Sequence, residues 1–158
     1  MLLLFCRWLS HTGISHMIRD STYDFAIVEV SHLLALAIFG GAVLLVDLRF
    51  LNLGFTSQPA PQVARELLPV TVGGVTVMLV TGIFLFLGGP VRYYRNPAFQ
   101  LKIVLFVIAL IVHFALQVGV IRQGSEQPGH PALLKAGAVS SLLLWLSIGL
   151  AGRAIGYV

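Results

Sequence analysis

Two ionisable side chains, Glu29 and His32, interrupt "AIVEVSHLLALAIFGGAVLLV", a run from Ala26 to Val46 that is otherwise apolar enough to cross a membrane. Three positions apart on a helix, they share a face, one turn from each other. A third such group, His113, lies within "IVLFVIALIVHFALQVGVI", with Gln117 one turn beyond it. An ionisable group inside a span costs roughly 2.5–3.5 kcal/mol on insertion scales, so each of these side chains needs a partner. Lys102, Asp47 and Arg153 lie nearer the segment ends, where a Lys or Arg stem can carry its charge to the interface.

Depth connects the two histidines. His32 is the eighth residue of the run beginning at Phe25, and His113 is the eleventh of the run beginning at Ile103. The two segments cross in the same direction, so a difference of three residues predicts an axial offset of only about 4.5 Å. Imidazoles at matching depth on parallel-running helices can serve as the two axial ligands of one b-type haem in a bundle core. Glu29 would then orient the His32 ring or meet a haem-pocket donor, with Phe39, Phe106 and Phe114 lining the macrocycle. On this reading the chain is a small redox or electron-transfer subunit that exchanges electrons with a quinone or a membrane oxidoreductase. Two other readings stand beside it. Glu29, His32 and Asp47 could handle protons or metal ions in a transport protein. Alternatively, the His–Glu pair could clamp helices in a structural accessory subunit that holds no cofactor.

Other chemistries find less support. Cu(I) prefers thiolate and thioether ligands, but Cys6 is single and Met1, Met17 and Met78 form no cluster. His11, His16 and His130 fall in or near interfacial regions and read as solvated. Ser140, Ser141 and Ser147 lie in the fourth span without a nucleophile-elbow pattern. "GGVTVMLVTG" lies inside a span and lacks the phosphate-loop lysine. The chain is not expected to be an enzyme on its own.

The elements that must position these residues follow from composition. The 158 residues are 58% hydrophobic and 10% charged, with mean hydropathy +0.94; soluble domains carry about 25% charged residues. The net charge of +4 comes from basic residues scattered over segment ends, which suits anionic lipid headgroups and not nucleic acid. Four apolar spans are expected at about 23–46, 67–87, 99–121 and 132–155. They form one all-α domain over 1–158, an up-down four-helix membrane bundle. Residues 2–18 are expected to form a short interfacial helix with Trp8 at headgroup depth, not a cleaved signal peptide. Ser21 and Asp24 fit a capping pattern at the first span, and Pro69 falls in the first turn of the second. "GGPVRYYRNP" and "RQGSEQPGHP" read as turns, and Gly152 with Gly156 as ordinary helix packing. Six basic residues on the N-terminal side (Arg7, Arg19, Arg92, Arg95, Lys102, Arg153) against four opposite (Arg49, Arg65, Arg122, Lys135) favour cytoplasmic termini.

Four motifs in order over residues 20–158 carry a family resemblance. They are the E-x-x-H of Glu29 and His32, the D-L-R of Asp47 to Arg49, the N-P-x-F-x-x-K from Asn96 to Lys102, and a closing W…G-R-x-I-x-Y from Trp145 to Tyr157. Together they resemble an uncharacterised family of small bacterial four-helix membrane proteins, itself distantly similar to the membrane domain of copper-resistance D-type proteins. The resemblance implies a bacterial inner-membrane protein and carries no established activity. His113 departs from the family's pattern, which often has Asn there, so the resemblance extends to Glu29 and His32 and not to bis-His ligation.

Overall fold

The computed structural model describes residues 1–54, 56–124 and 131–157. The chain forms seven helices among these residues: α1 (Leu2–Ser10), α2 (Gly13–Asp20), α3 (Thr22–Phe50), α4 (Ala60–Leu87), α5 (Pro90–Arg95), α6 (Pro97–Gln123) and α7 (Pro131–Ala154). Four of them, α3, α4, α6 and α7, are long and apolar enough to cross a membrane, as the composition predicts. The protein is an all-α, four-helix membrane protein. Its long aliphatic side chains, such as Leu33, Ile83, Ile111 and Leu146, point outward, while small and polar residues pack inward.

The spans are longer than their apolar runs. α3 continues through "DLRF" to Phe50, which carries Asp47 into the bundle with no exposed surface. Arg49 then fastens the following loop: its Nε donates to the Gln58 carbonyl at 2.7 Å and its Nη1 to Asn52 Oδ1 at 2.8 Å. α4 starts at Ala60, so Pro69 lies in the helix interior and not in the first turn. A proline there removes one helical N–H and leaves the Arg65 carbonyl without its usual donor. The turn "GGPVRYYRNP" contains the short helix α5. α6 begins where the Asn96 side chain accepts the Phe99 N–H at 3.1 Å, and ends at Gly124 with φ 62°, a conformation that glycine adopts without strain.

The N-terminal stretch is two helices and not one. Thr12 breaks it, and its hydroxyl accepts the Ser15 N–H at 3.4 Å. α1 packs on α5, and α2 packs on α3 and α4, so the pair covers one end of the bundle. Ser15 is fully buried, and its hydroxyl donates to the Leu87 carbonyl at 2.7 Å, capping the open end of α4. Trp8 stays exposed and stacks on Phe5. Ser21 caps α3 as expected, accepting the Asp24 N–H at 3.2 Å.

Within the bundle α3 packs on α4, α4 on α6, α6 on α7, and α7 back on α3, which leaves α3 and α6 diagonal. α3 and α4 approach closely at Gly74, where a Cβ would stand 2.9 Å from Phe39 Cβ. At the same level Trp145 takes the edges of Phe39 and Phe106, with ring centroids 4.8 and 5.9 Å away. This aromatic layer, with Ala35, Val43, Val75 and Met78, divides the interior into two halves.

Candidate functional site

Each half holds its own polar cluster. In the half toward the C-terminus of α3, Asp47 and His113 face each other across the diagonal, with Oδ1 and Nδ1 3.7 Å apart and both side chains 0% exposed. That distance is an ionic contact and too long for a hydrogen bond. None of the four polar atoms of the pair has a hydrogen-bond partner among the described residues, and two inward groups of α7 share this state, Ser141 Oγ and Trp145 Nε1. Ser140 and Ser147 instead donate back to their own helix, at 2.9 and 2.8 Å, as serines in membrane helices commonly do.

One turn beyond His113, both polar atoms of the Gln117 amide are bonded. Its Nε2 donates to the Ala64 carbonyl at 3.0 Å and its Oε1 meets Thr71 Oγ1 at 3.3 Å. Ala64 precedes the carbonyl that Pro69 frees, so Gln117 braces α4 where its own ladder is weakened. Beyond lies the apolar cap of Val46, Phe50, Ala60, Ala64, Val120, Leu134 and Ala138.

The other half contains His32. Its Nδ1 lies 2.9 Å from Thr81 Oγ1, with the Met78 carbonyl alongside, and its ring lies against Gly82, where a Cβ would stand 3.3 Å from Cε1. Thr81 Oγ1 itself donates to the Val77 carbonyl at 2.8 Å, which assigns the Nδ1–H of His32 as donor to Thr81. Lys102 reaches from α6 to the last turn of α7, where its Nζ lies within 3.4 Å of a Cβ placed on Gly152. Asn96 Nδ2 donates to the Ile155 carbonyl at 3.2 Å, and Arg153 Nη2 to the Tyr157 hydroxyl at 2.7 Å. Three of the four motif segments therefore meet at this end of the bundle, while the Asp47 motif lies at the other.

Two expectations need correction. Glu29 does not orient His32: it is exposed on the outer side of α3 and makes no hydrogen bond or ion pair among the described residues. Three residues turn a helix by about 300°, so neighbours on one broad face can still lie on opposite sides of a packing boundary. Nor do His32 and His113 share a depth. His113 meets Asp47, fifteen residues after His32 on the same continuous helix, which places the two imidazoles about 20 Å apart along the axis. One iron with two axial nitrogens does not fit between them. Apolar runs begin at different heights on α3 and α6, so a count from their starts does not give depth.

Sequence reasoning treated Asp47 as an interfacial residue because it closes the apolar run. A usable signal lay in the next three residues, "LRF", which continue the helix instead of breaking it. Among the described residues no group of three His, Cys, Asp or Glu side chains could hold a metal ion. His11 and His16 lie on the surface, and His16 pairs with Asp20 at 3.5 Å; His130 lies outside the described residues.

No curated protein and no solved structure matches the chain. A protein-family profile does match, over residues 9–158, which takes in every spanning helix and both polar clusters. The chain belongs to DUF6644, a family of unknown function.

Proposed function

We propose that the protein handles protons within the membrane, with the Asp47–His113 pair as its titrating centre. One observation carries this reading: an acid and an imidazole, both fully buried, face each other at 3.7 Å with every polar atom otherwise unpaired. At this separation and an effective dielectric of about 20, the attraction of the ionised pair is about 4 kcal/mol. Removing two charges from water costs several kcal/mol each. The summed penalty is at least as large as the attraction, so charge pairing alone does not account for the contact, whereas a role in proton handling does. Intramembrane carboxylate–histidine pairs are suited to that role, and the orphaned hydroxyl of Ser141 points the same way.

This reading shifts proton handling from Glu29 and His32 to Asp47 and His113, and replaces the redox reading. It takes the membrane to be the bacterial inner membrane with both termini cytoplasmic, in line with the basic residues on the N-terminal side. A structural reading has support of its own, since the bonds of Gln117 to Thr71 and Ala64 hold helices together with no need for titration.

The test is proton uptake into proteoliposomes of the full chain after a pH jump, read by an enclosed pH dye. Infrared difference spectra of the same sample read the buried carboxyl directly. Wild type should exceed empty liposomes, and both Asp47→Asn and His113→Asn should abolish the excess while remaining folded. Glu29→Gln should leave it intact. Wild-type flux at the empty-liposome level, without a pH-dependent carboxyl band that Asp47→Asn removes, would refute the proposal and leave the structural reading.

A further inference from the structure

Asp47 and His113 are sealed on two sides, and the two seals differ in kind. Toward the termini lies the aromatic layer, where Trp145 takes the edges of Phe39 and Phe106 and α3 meets α4 at Gly74. Interlocked rings and so close a backbone approach cannot part unless whole helices separate. Toward the opposite face lies the apolar cap, in which Ala60 and Ala64 of α4 close over Val46, Phe50 and Ala138. Two alanines bury little apolar area, so little is lost when this part of α4 moves. Its other face is wet, since Gln62, Arg65 and Glu66 are exposed.

Residues 60–68 are also weakly joined to the rest of their helix. Pro69 brings no N–H to the Arg65 carbonyl, and its ring crowds that carbonyl. Such a position is where a helix bends. Gln117 spans the break: its Nε2 donates to the Ala64 carbonyl on one side, at 3.0 Å, and its Oε1 meets Thr71 Oγ1 on the other, at 3.3 Å. The Thr71 hydroxyl in turn lies 2.9 Å from the carbonyls of both Leu67 and Leu68. Gln117 stands one turn from His113 on α6, so the clasp shares a helix face with the imidazole. Arg49 tethers the far end of the segment through the Gln58 carbonyl, at 2.7 Å, which keeps any swing small.

We propose that residues 60–68 form a gate over the Asp47–His113 pair, hinged at Pro69 and clasped by Gln117. The gate opens the pair to the membrane face opposite the termini, while the aromatic layer keeps it closed to the face of α1 and α2. The proposal rests on the pair as proton-handling centre, and it names the side from which that centre is reached.

The experiment is labelling of the full chain in proteoliposomes by a water-soluble, membrane-impermeant thiol reagent. In a Cys6→Ala background, Val46→Cys places the sole cysteine under the gate, and Ala35→Cys places it in the aromatic layer. Val46→Cys should label slowly in the parent. Added Gln117→Leu should speed it about fivefold, the weight of one net hydrogen bond, and added Pro69→Ala, which restores the helical bond to Arg65, should slow it. Ala35→Cys should keep one rate throughout. Equal rates at Val46→Cys in all three backgrounds, or the same changes at Ala35→Cys, overturn the gate. Should Gln117→Leu fail to fold, Pro69→Ala reads the hinge alone, and an unslowed rate there overturns it. Labelling does not depend on proton transfer. Proton uptake without labelling therefore fails the gate alone, and labelling without uptake fails the proton-handling reading alone.

Discussion

Replacing Gly74 by alanine puts a methyl group where α3 already touches α4. A Cβ at Gly74 stands 2.9 Å from Phe39 Cβ and 3.1 Å from Phe39 Cα. Neither atom can swing aside with a rotamer, so the helix axes themselves must separate. Overpacking of this kind typically costs about 1–3 kcal/mol. Gly73, one residue earlier, meets nothing within 4 Å. Alanine there adds helix propensity of up to about 1 kcal/mol and no clash. The same chemical change at adjacent positions should therefore move stability in opposite directions, with the two variants about 2–4 kcal/mol apart. Trp145 reports the event, because its ring meets the Phe39 edge at a centroid distance of 4.8 Å. In a Trp8→Phe background it is the sole tryptophan. Unfolding in mixed micelles, followed by its fluorescence, should show Gly74→Ala melting earlier and with altered native emission, and Gly73→Ala melting at or above the parent. Equal stability of the two alanine variants would refute the close approach of α3 and α4 and the aromatic layer built on it.

Three further outcomes follow from the same packing. Asp47→Ala leaves the buried imidazole of His113 without its acid and should cost about 1–3 kcal/mol in the same unfolding assay, whereas replacing both by leucine should recover most of that loss. Gln117→Leu removes two bonds between spans beside the gap that Pro69 leaves in α4, so a loss of about 1–3 kcal/mol is expected. Thr71→Val should lose less, because the Thr71 hydroxyl also bonds within its own helix, at 2.9 Å. Ser15→Ala should speed amide exchange in α2 and in the last turn of α4, with about 1 kcal/mol of global cost; unchanged exchange there would argue against its cap on Leu87.

Much of the architecture is local and so is legible in the chain. Each apolar run satisfies its own backbone hydrogen bonds as a helix and needs about 20 residues to cross hydrocarbon, so number, class and rough limits follow without any tertiary contact. Ser21 caps α3 for an equally local reason, since its hydroxyl and the Asp24 N–H are three residues apart. Boundaries were less legible. Helices project past the membrane into polar sequence, so "DLRF" and the residues from Ala60 to Glu66 are helical although they are not apolar.

The candidate site was legible only as a set of residue types. His32, His113 and Glu29 stand out in the sequence because charge is costly in hydrocarbon, and that cost is a property of each residue alone. Their partners are set by helix rotation and axial offset, which no single run encodes. A rotation of about 60° separates inward His32 from outward Glu29. An axial offset of about 20 Å separates His32 from His113 and delivers Asp47 to the latter. The sequence by itself determined that polar groups must be paired inside a four-helix bundle. Only the tertiary structure decided which pairs form, because the close contacts at Gly74 and the Trp145 layer fix how far each helix slides and turns against the next.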